Sequence, residues 1–208
     1  MSFVAGGRRV VVTGLGAVTP LGTDVPSYWQ RLVAGESGIG STTLFDASAM
    51  TSRISGEVPD FDPSGVLDRK DVRRNDRATQ LGLVSTREAL EDAGLPVNLE
   101  GELAEMTGIL MSSGLGGANP LIEQIAACRI DGPRAVSPFF IPMAIANMPA
   151  GVAGISFGAL GPNYSNTSAC ASSGHAIGES YEIIRRGDAD YMLAGGCDAA
   201  VALYLIHI

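Results

Sequence analysis

The sequence is poor in charge and in aromatic rings. Only 17% of its 208 residues are Asp, Glu, Lys or Arg, and 6% are Phe, Trp or Tyr, with a single tryptophan. A formal charge of −8 leaves no broad basic surface, which argues against DNA or RNA as partners. The three cysteines, Cys128, Cys170 and Cys197, stand far apart with no C-x-x-C spacing, so neither a disulfide framework nor a metal site is expected. They read as reduced thiols of a cytoplasmic protein, and the N-terminus shows no apolar core of signal-peptide length before Arg8 and Arg9. Residues 135–178 lack charge altogether, yet Pro138, Pro142, Asn147, Pro149, Asn163 and Asn166 interrupt them, so no membrane span of about 20 clean apolar residues exists. What is abundant is small and apolar: 46% hydrophobic residues and 27 glycines, a composition for one globular unit with a substantial core.

Local patterns suggest alternating strands and helices. The β-branched run Arg8 to Thr13 predicts a buried strand that feeds a glycine turn. Asp24 with Pro26 predicts a helix to about Ala34, stopped by Gly35. Residues 36–68 read as a surface excursion. Asn75 or Asp76 caps a helix to about Ala93 with Leu81, Val84 and Leu90 on its inner side and Gly94 as its stop. Thr107 to Met111 is the next strand, Ser112 to Gly117 a loop, and Tyr164 to Thr167 a short strand. Ala171 to Arg186 is a helix ending at Gly187. This order predicts a layered α/β fold. The charge-free stretch 135–178 is expected to be its buried centre and a subunit interface.

The chemistry concentrates at Cys170. It falls where the short strand turns into the 171–186 helix. There free N–H groups and the positive end of the helix dipole favour an anionic sulfur, and Ala169, Ala171, Ser172, Ser173 and Gly174 leave room beside it. That makes it a candidate nucleophile. A small buried hydrophobe is the alternative, which the residues alone leave open. His175 lies five positions on, with side chains about 140° apart on one helix, so it should not be the base. His207 has no motif around it.

Gly14-Leu-Gly16-Ala-Val-Thr19 resembles a dinucleotide loop, but Thr19 stands where a third glycine is needed. The loop at Ser112 to Gly117 lacks the Lys-Ser/Thr of a phosphate loop. No cofactor is expected at either, and their glycines are read as points of close backbone approach. Arg69, Lys70, Arg73, Arg74 and Arg77 gather five of the 14 basic residues into nine positions. They form either a patch that steers an acidic partner or a solvated helix entrance with interleaved aspartates, and both readings stay open.

Five segments in order carry a resemblance. They are Val11-Val-Thr-Gly-Leu-Gly-Ala-Val-Thr-Pro-Leu-Gly22, Ala34-Gly-Glu-Ser-Gly-Ile39, Gly132-Pro-Arg-Ala-Val-Ser-Pro-Phe-Phe-Ile-Pro142, Thr167-Ser-Ala-Cys170-Ala-Ser-Ser-Gly174 and Gly187-Asp-Ala-Asp-Tyr-Met-Leu-Ala-Gly-Gly196. Together they resemble the N-terminal half of a β-ketoacyl-acyl-carrier-protein synthase, most similar to the elongating synthase II type. The resemblance implies a thiolase-like layered α/β/α half, a mixed sheet covered by helices, with residues 1–208 as one N-terminal lobe.

The resemblance also implies roles. Cys170 would accept an acyl chain from carrier protein, and the chain would then condense with malonyl-carrier protein as carbon dioxide leaves, in fatty-acid synthesis. Lys70, Arg73, Arg74 and Arg134 match positions that dock the acidic acyl carrier protein, although Ala135 stands where a further basic residue is common. Leu115 matches a wall of the acyl pocket, Phe140 a residue reaching the partner subunit's pocket across a homodimer, and His175 a non-catalytic position.

In the family the second half supplies two histidines, a lysine and a gating phenylalanine, and these 208 residues contain no counterpart of them. Self-acylation without condensation is therefore expected of this chain. Its half-interface, pairing otherwise with a C-terminal lobe, should make it prone to associate. A non-catalytic fragment or split subunit that binds carrier protein or a complementary lobe is the second reading, and a polyketide ketosynthase another. A thiolase acting on coenzyme A thioesters fits the Arg-rich entrance and Phe139-Phe140 less well.

Overall fold

The computed structural model describes residues 8–202; His207 lies outside them. In chain order the elements are α1 (Val25–Val33), β1 (Ile39–Ser41), β2 (Ile54–Gly56), α2 (Arg69–Arg74), α3 (Arg77–Asp92), α4 (Gly101–Glu105), β3 (Thr107–Ser112), α5 (Ala118–Asp131), a 3-10 turn at Pro133–Ala135, α6 (Phe140–Ala144), α7 (Met148–Phe157), β4 (Asn163–Tyr164), α8 (Ser172–Arg186) and β5 (Tyr191–Gly196).

The main sheet is parallel and ordered β4-β3-β5; β1 and β2 form a separate antiparallel pair inside the 36–68 excursion. Both strand senses are thus present, in two sheets. β3 is buried along its whole length, as a near-continuous apolar run should be when helices cover both faces. Its period of two divides the core. Ile109 and Met111 pack with Leu83 and Leu90 of α3 and with Ala150, Ala153 and Phe157 of α7, while Leu110 packs with Ala176 and Ile183 of α8. The result is a three-layer arrangement, α3 and α7 on one side of the sheet and α8 on the other.

Helix limits follow the capping chemistry. The Asp24 carboxylate accepts from Ser27 N at 2.7 Å and opens α1; Asp76 accepts from Ala78 N at 2.9 Å and opens α3. Gly35, Gly94 and Gly187 follow the helix ends at φ 71°, 68° and 87°.

Four expectations change. Residues 8–13 make no strand. The segment that follows them is held to α3 instead: Leu15 N and Ala17 N donate to Asp92 and Glu88 at 2.8 Å, and Cβ atoms on Gly14 and Gly16 would overlap the Ala89 and Ser85 carbonyls. Those contacts hold residues 14–17 against α3, while 8–13 pair with no strand among the described residues and Val11 and Val12 stay exposed. On α3 the fully buried leucines are Leu83 and Leu90, whereas Leu81 and Val84 are half-buried. The helix turns its small residues to the closest contact, where a Cβ on Gly82 would lie 2.7 Å from the Met111 sulfur and 2.9 Å from that of Cys197. The short strand starts at Asn163 and ends at Tyr164, two residues instead of the four of 164–167. The charge-free stretch is the core only in part: Ala150, Ala153, Phe157 and Ala176 are buried, but Ile141, Ile145, Ile155, Leu160, Tyr164 and Ile177 are exposed.

Candidate active site

Cys170 stands two residues before α8, exposed to solvent, beyond the end of β4. The residue before it, Ala169, has φ 51° and is the one non-glycine residue with positive φ among those described. An alanine there costs about 1–2 kcal/mol of backbone strain, so the surroundings must hold it. They do so with hydrogen bonds. Ser168 N donates to the Ser172 hydroxyl at 2.9 Å, and that hydroxyl donates to Ala169 O at 2.7 Å. Asn166 ties the approach to the sheet, accepting from the Ser112 hydroxyl at 2.6 Å and reaching Ser172 O at 3.3 Å. The cysteine is therefore presented on a tight, braced turn at a helix N-terminus. The first turn of α8 has no acidic residue to oppose an anion there.

His175 Nδ1 lies 2.6 Å from the Ser168 hydroxyl. It braces the turn; Cys170 lies outside α8, so the two side chains do not share one helix, and no hydrogen bond joins them.

The loop after β3 connects the remaining residues. Gly114 lies against Ala169, where a Cβ would meet its backbone at 3.1 Å. Cβ atoms on Gly117 and Gly116 would overlap the carbonyls of Met143 and Ala144 at the end of α6. The loop that carries Leu115 is thus wedged between the Cys170 turn and the helix that begins with Phe140. Its glycines serve close backbone approach, as their spacing without a phosphate-loop lysine implied. Leu115 is exposed and Phe140 half-buried. Met111, at the end of β3, carries the core up to this loop.

The basic cluster divides. Lys70, Arg73 and Arg74 are exposed on α2, whose N-cap Asp68 accepts from Lys70 N and Asp71 N at 2.7 and 2.8 Å. The Arg74 guanidinium lies 4.7 Å from the Phe139 ring centre, which sets α2 beside the start of α6. Arg134 is exposed in the 3-10 turn, as is Ala135. Arg77 is different: it donates to Val58 O at 2.8 Å and covers the Phe61 ring at 4.4 Å, so it serves packing. Burial pulls its guanidinium pKa below the usual arginine value.

Composition and spacing did not point to Asp198, the residue that anchors the Leu115 loop, nor to Asn166 and Ser112. The available signal for Asp198 was an acid directly after the strand that ends Gly195-Gly196, since sites on parallel sheets form beyond the carboxyl ends of strands. Among the described residues no cluster of His, Cys, Asp and Glu is placed to hold a metal ion, and no helix is long and apolar enough to cross a membrane.

Residues 7–204 match the family described as beta-ketoacyl synthase, N-terminal domain. The 3-oxoacyl-[acyl-carrier-protein] synthase 2 of Synechocystis sp. is 44% identical over 195 residues, 93% of this chain and 46% of that protein. The enzyme of the same name from Coxiella burnetii is 45% identical over 193 residues, with the same coverages. The chain therefore spans about half the length of these curated relatives. Among solved structures, the ishigamide ketosynthase/chain length factor superposes with a TM-score of 0.81 at 30% identity, over 93% of this chain and 48% of that one.

Proposed function

This chain belongs to the β-ketoacyl synthase family, and from that premise we propose that it is the acyl-accepting lobe of a 3-oxoacyl-carrier-protein synthase of fatty-acid elongation. In the proposed step the Cys170 sulfur attacks the carbonyl carbon of an acyl thioester. A new C–S bond forms, the bond to the carrier thiol breaks, and the carrier leaves as its thiol, taking up the proton that the Cys170 thiol gave up. In the whole protein the acyl-cysteine would then condense with a malonyl thioester as carbon dioxide leaves. The acylation half of that sequence is assigned to the residues described here. Identities of 44% and 45% to synthase 2 enzymes favour the fatty-acid reading over a polyketide one.

The carrying observation is Cys170, exposed and braced at the start of α8 behind a left-handed alanine. The other proposed roles follow the same surface. Lys70, Arg73 and Arg74, joined to α6 through the Arg74–Phe139 contact, and Arg134 would receive the acidic carrier protein. Leu115 would line the acyl chain's path, and Phe140 would reach towards a second subunit. The apolar side chains left exposed in residues 141–177 support self-association. A cytoplasmic setting suits three free thiols.

The test is intact mass after incubation with an acyl-carrier-protein thioester. The wild-type chain is expected to gain one acyl group, and Cys170→Ala none. An adduct that survives in Cys170→Ala, or a wild-type chain that never acquires one, refutes the assignment. The competing reading, a lobe that only binds carrier protein, is the outcome in which complex forms and no adduct does.

A further inference from the structure

We propose that Asp198 is a positioning residue that sets the wall of the acyl site, its carboxylate fixing the Ser113–Gly117 loop and thereby the place of Leu115 relative to Cys170. The inference rests on the acyl-acceptor reading above and adds a residue and a specificity role to it. β5 ends at Gly196 and its pairing with β3 continues one step further, Cys197 N donating to Ser112 O at 2.9 Å. Asp198 is thereby delivered to the mouth of the loop that leaves β3.

There its Oδ1 accepts from the Ser113 hydroxyl at 2.7 Å, from Gly114 N at 3.1 Å and from Leu115 N at 3.2 Å. Its Oδ2 lies 3.2 Å from Gly114 N. The Ser113 oxygen accepts in turn from Gly116 N at 2.7 Å. Successive N–H groups turned to one side form a concavity that suits an anion, and here the chain's own carboxylate fills it.

Apolar packing does not do this job. Leu115 is 50% exposed and belongs to neither core cluster. Its backbone is held by charge-assisted hydrogen bonds, each stronger than a neutral one. Gly114 abuts Ala169 and Gly117 abuts Met143, so the loop is kept from moving towards the cysteine turn or the helix of Phe140 and is free to move only away from them. The Cys170 turn has its own bonds through Ser172 and Asn166. Loss of Asp198 should therefore loosen the wall and leave the nucleophile in place.

The experiment compares the wild-type chain with Asp198→Asn and Ser113→Ala, the milder variant that removes one donor. Amide hydrogen exchange in 113–116 is expected to rise about tenfold in Asp198→Asn, the factor that follows from losing about 1.5 kcal/mol of hydrogen bonding to a charge, and less in Ser113→Ala. Exchange in 172–178 should stay unchanged. In the acylation assay, Asp198→Asn should lose discrimination between short and long acyl-carrier thioesters, while iodoacetamide still alkylates Cys170 at the wild-type rate.

Unchanged exchange in both variants, or equal loss for every acyl length together with slower alkylation, overturns the proposal. A wild-type chain that takes no acyl group overturns the function and the specificity role with it. The exchange data read the anchor independently, so the two failures are told apart.

Discussion

Three cysteines with the same side chain have two different fates, decided by what surrounds each sulfur. Cys170 and Cys128 are exposed. Cys197 directs its sulfur into the contact between α3 and β3, against Gly82. Burial there pushes its thiol from 9.0 up to about 12, with the nearby Asp198 and Asp76 charges acting in the same direction and a weaker hydrogen bond to Gly82 opposing them. Asp76 is itself buried, and its carboxyl is raised above the ordinary value for the same reason, with Glu123 and Asp198 adding to it. The native chain treated with iodoacetamide at pH 8 is expected to label at Cys170 and Cys128 and to spare Cys197 until denaturant is added. Prompt native labelling of Cys197 would show that its sulfur is not buried. The folded state keeps the Cys197 proton where the unfolded state gives it up, so this thiol costs stability as pH rises from about 9 towards 12.

Among the elements, α3 and α2 show how a charged helix face can serve two purposes. Glu88 and Asp92, one turn apart on α3, accept from Ala17, Val25 and Leu15 backbone N–H groups and so bind the 15–25 segment to the core layer. Their charges are spent on structure. On α2, Asp71 lies 3.9 Å from Arg74, but Lys70 and Arg73 have no carboxylate within ion-pair distance among the described residues. The mixed pattern in the sequence is thus resolved: Asp68 caps the helix, Arg77 packs against Phe61, and Lys70, Arg73 and Arg74 face solvent. If this face receives the carrier protein, Arg73→Glu/Arg74→Glu should slow acylation by a carrier thioester about tenfold at low salt, since surface charge acts mainly on encounter. Acylation by a small-molecule thioester should be unaffected. Equal slowing with both donors would place the defect in the site and not in docking.

At the scale of the whole molecule, large apolar side chains stay exposed in the charge-free stretch as well as outside it. Ile155 is 84% and Leu160 71% exposed, with Tyr164 and Ile177 also open to solvent. Light scattering on the purified chain is expected to give a mass above the 21.4 kDa of one copy and rising with concentration; a constant 21.4 kDa would count against self-association through these side chains. The helices of α1, α3 and α8 and their stops were legible in the sequence because capping acids and terminal glycines act over three or four neighbouring residues. Cys170 at the start of a helix was legible for the same reason, and the five ordered segments pointed to the family. The missing strand at 8–13, the choice of Leu83 over Leu81, the anchoring of the Leu115 loop by Asp198 and the separation of Arg77 from its basic neighbours were not. Each depends on which distant backbone comes within a few ångströms: α3 carbonyls against Gly14 and Gly16, Met111 and Cys197 against Gly82, the end of β5 beside the end of β3. Local chemistry sets where an element begins and ends, because its hydrogen bonds are short-range in the chain. Which of its faces is buried, and which carboxylate holds which loop, is decided only when elements far apart in sequence compete for the same space.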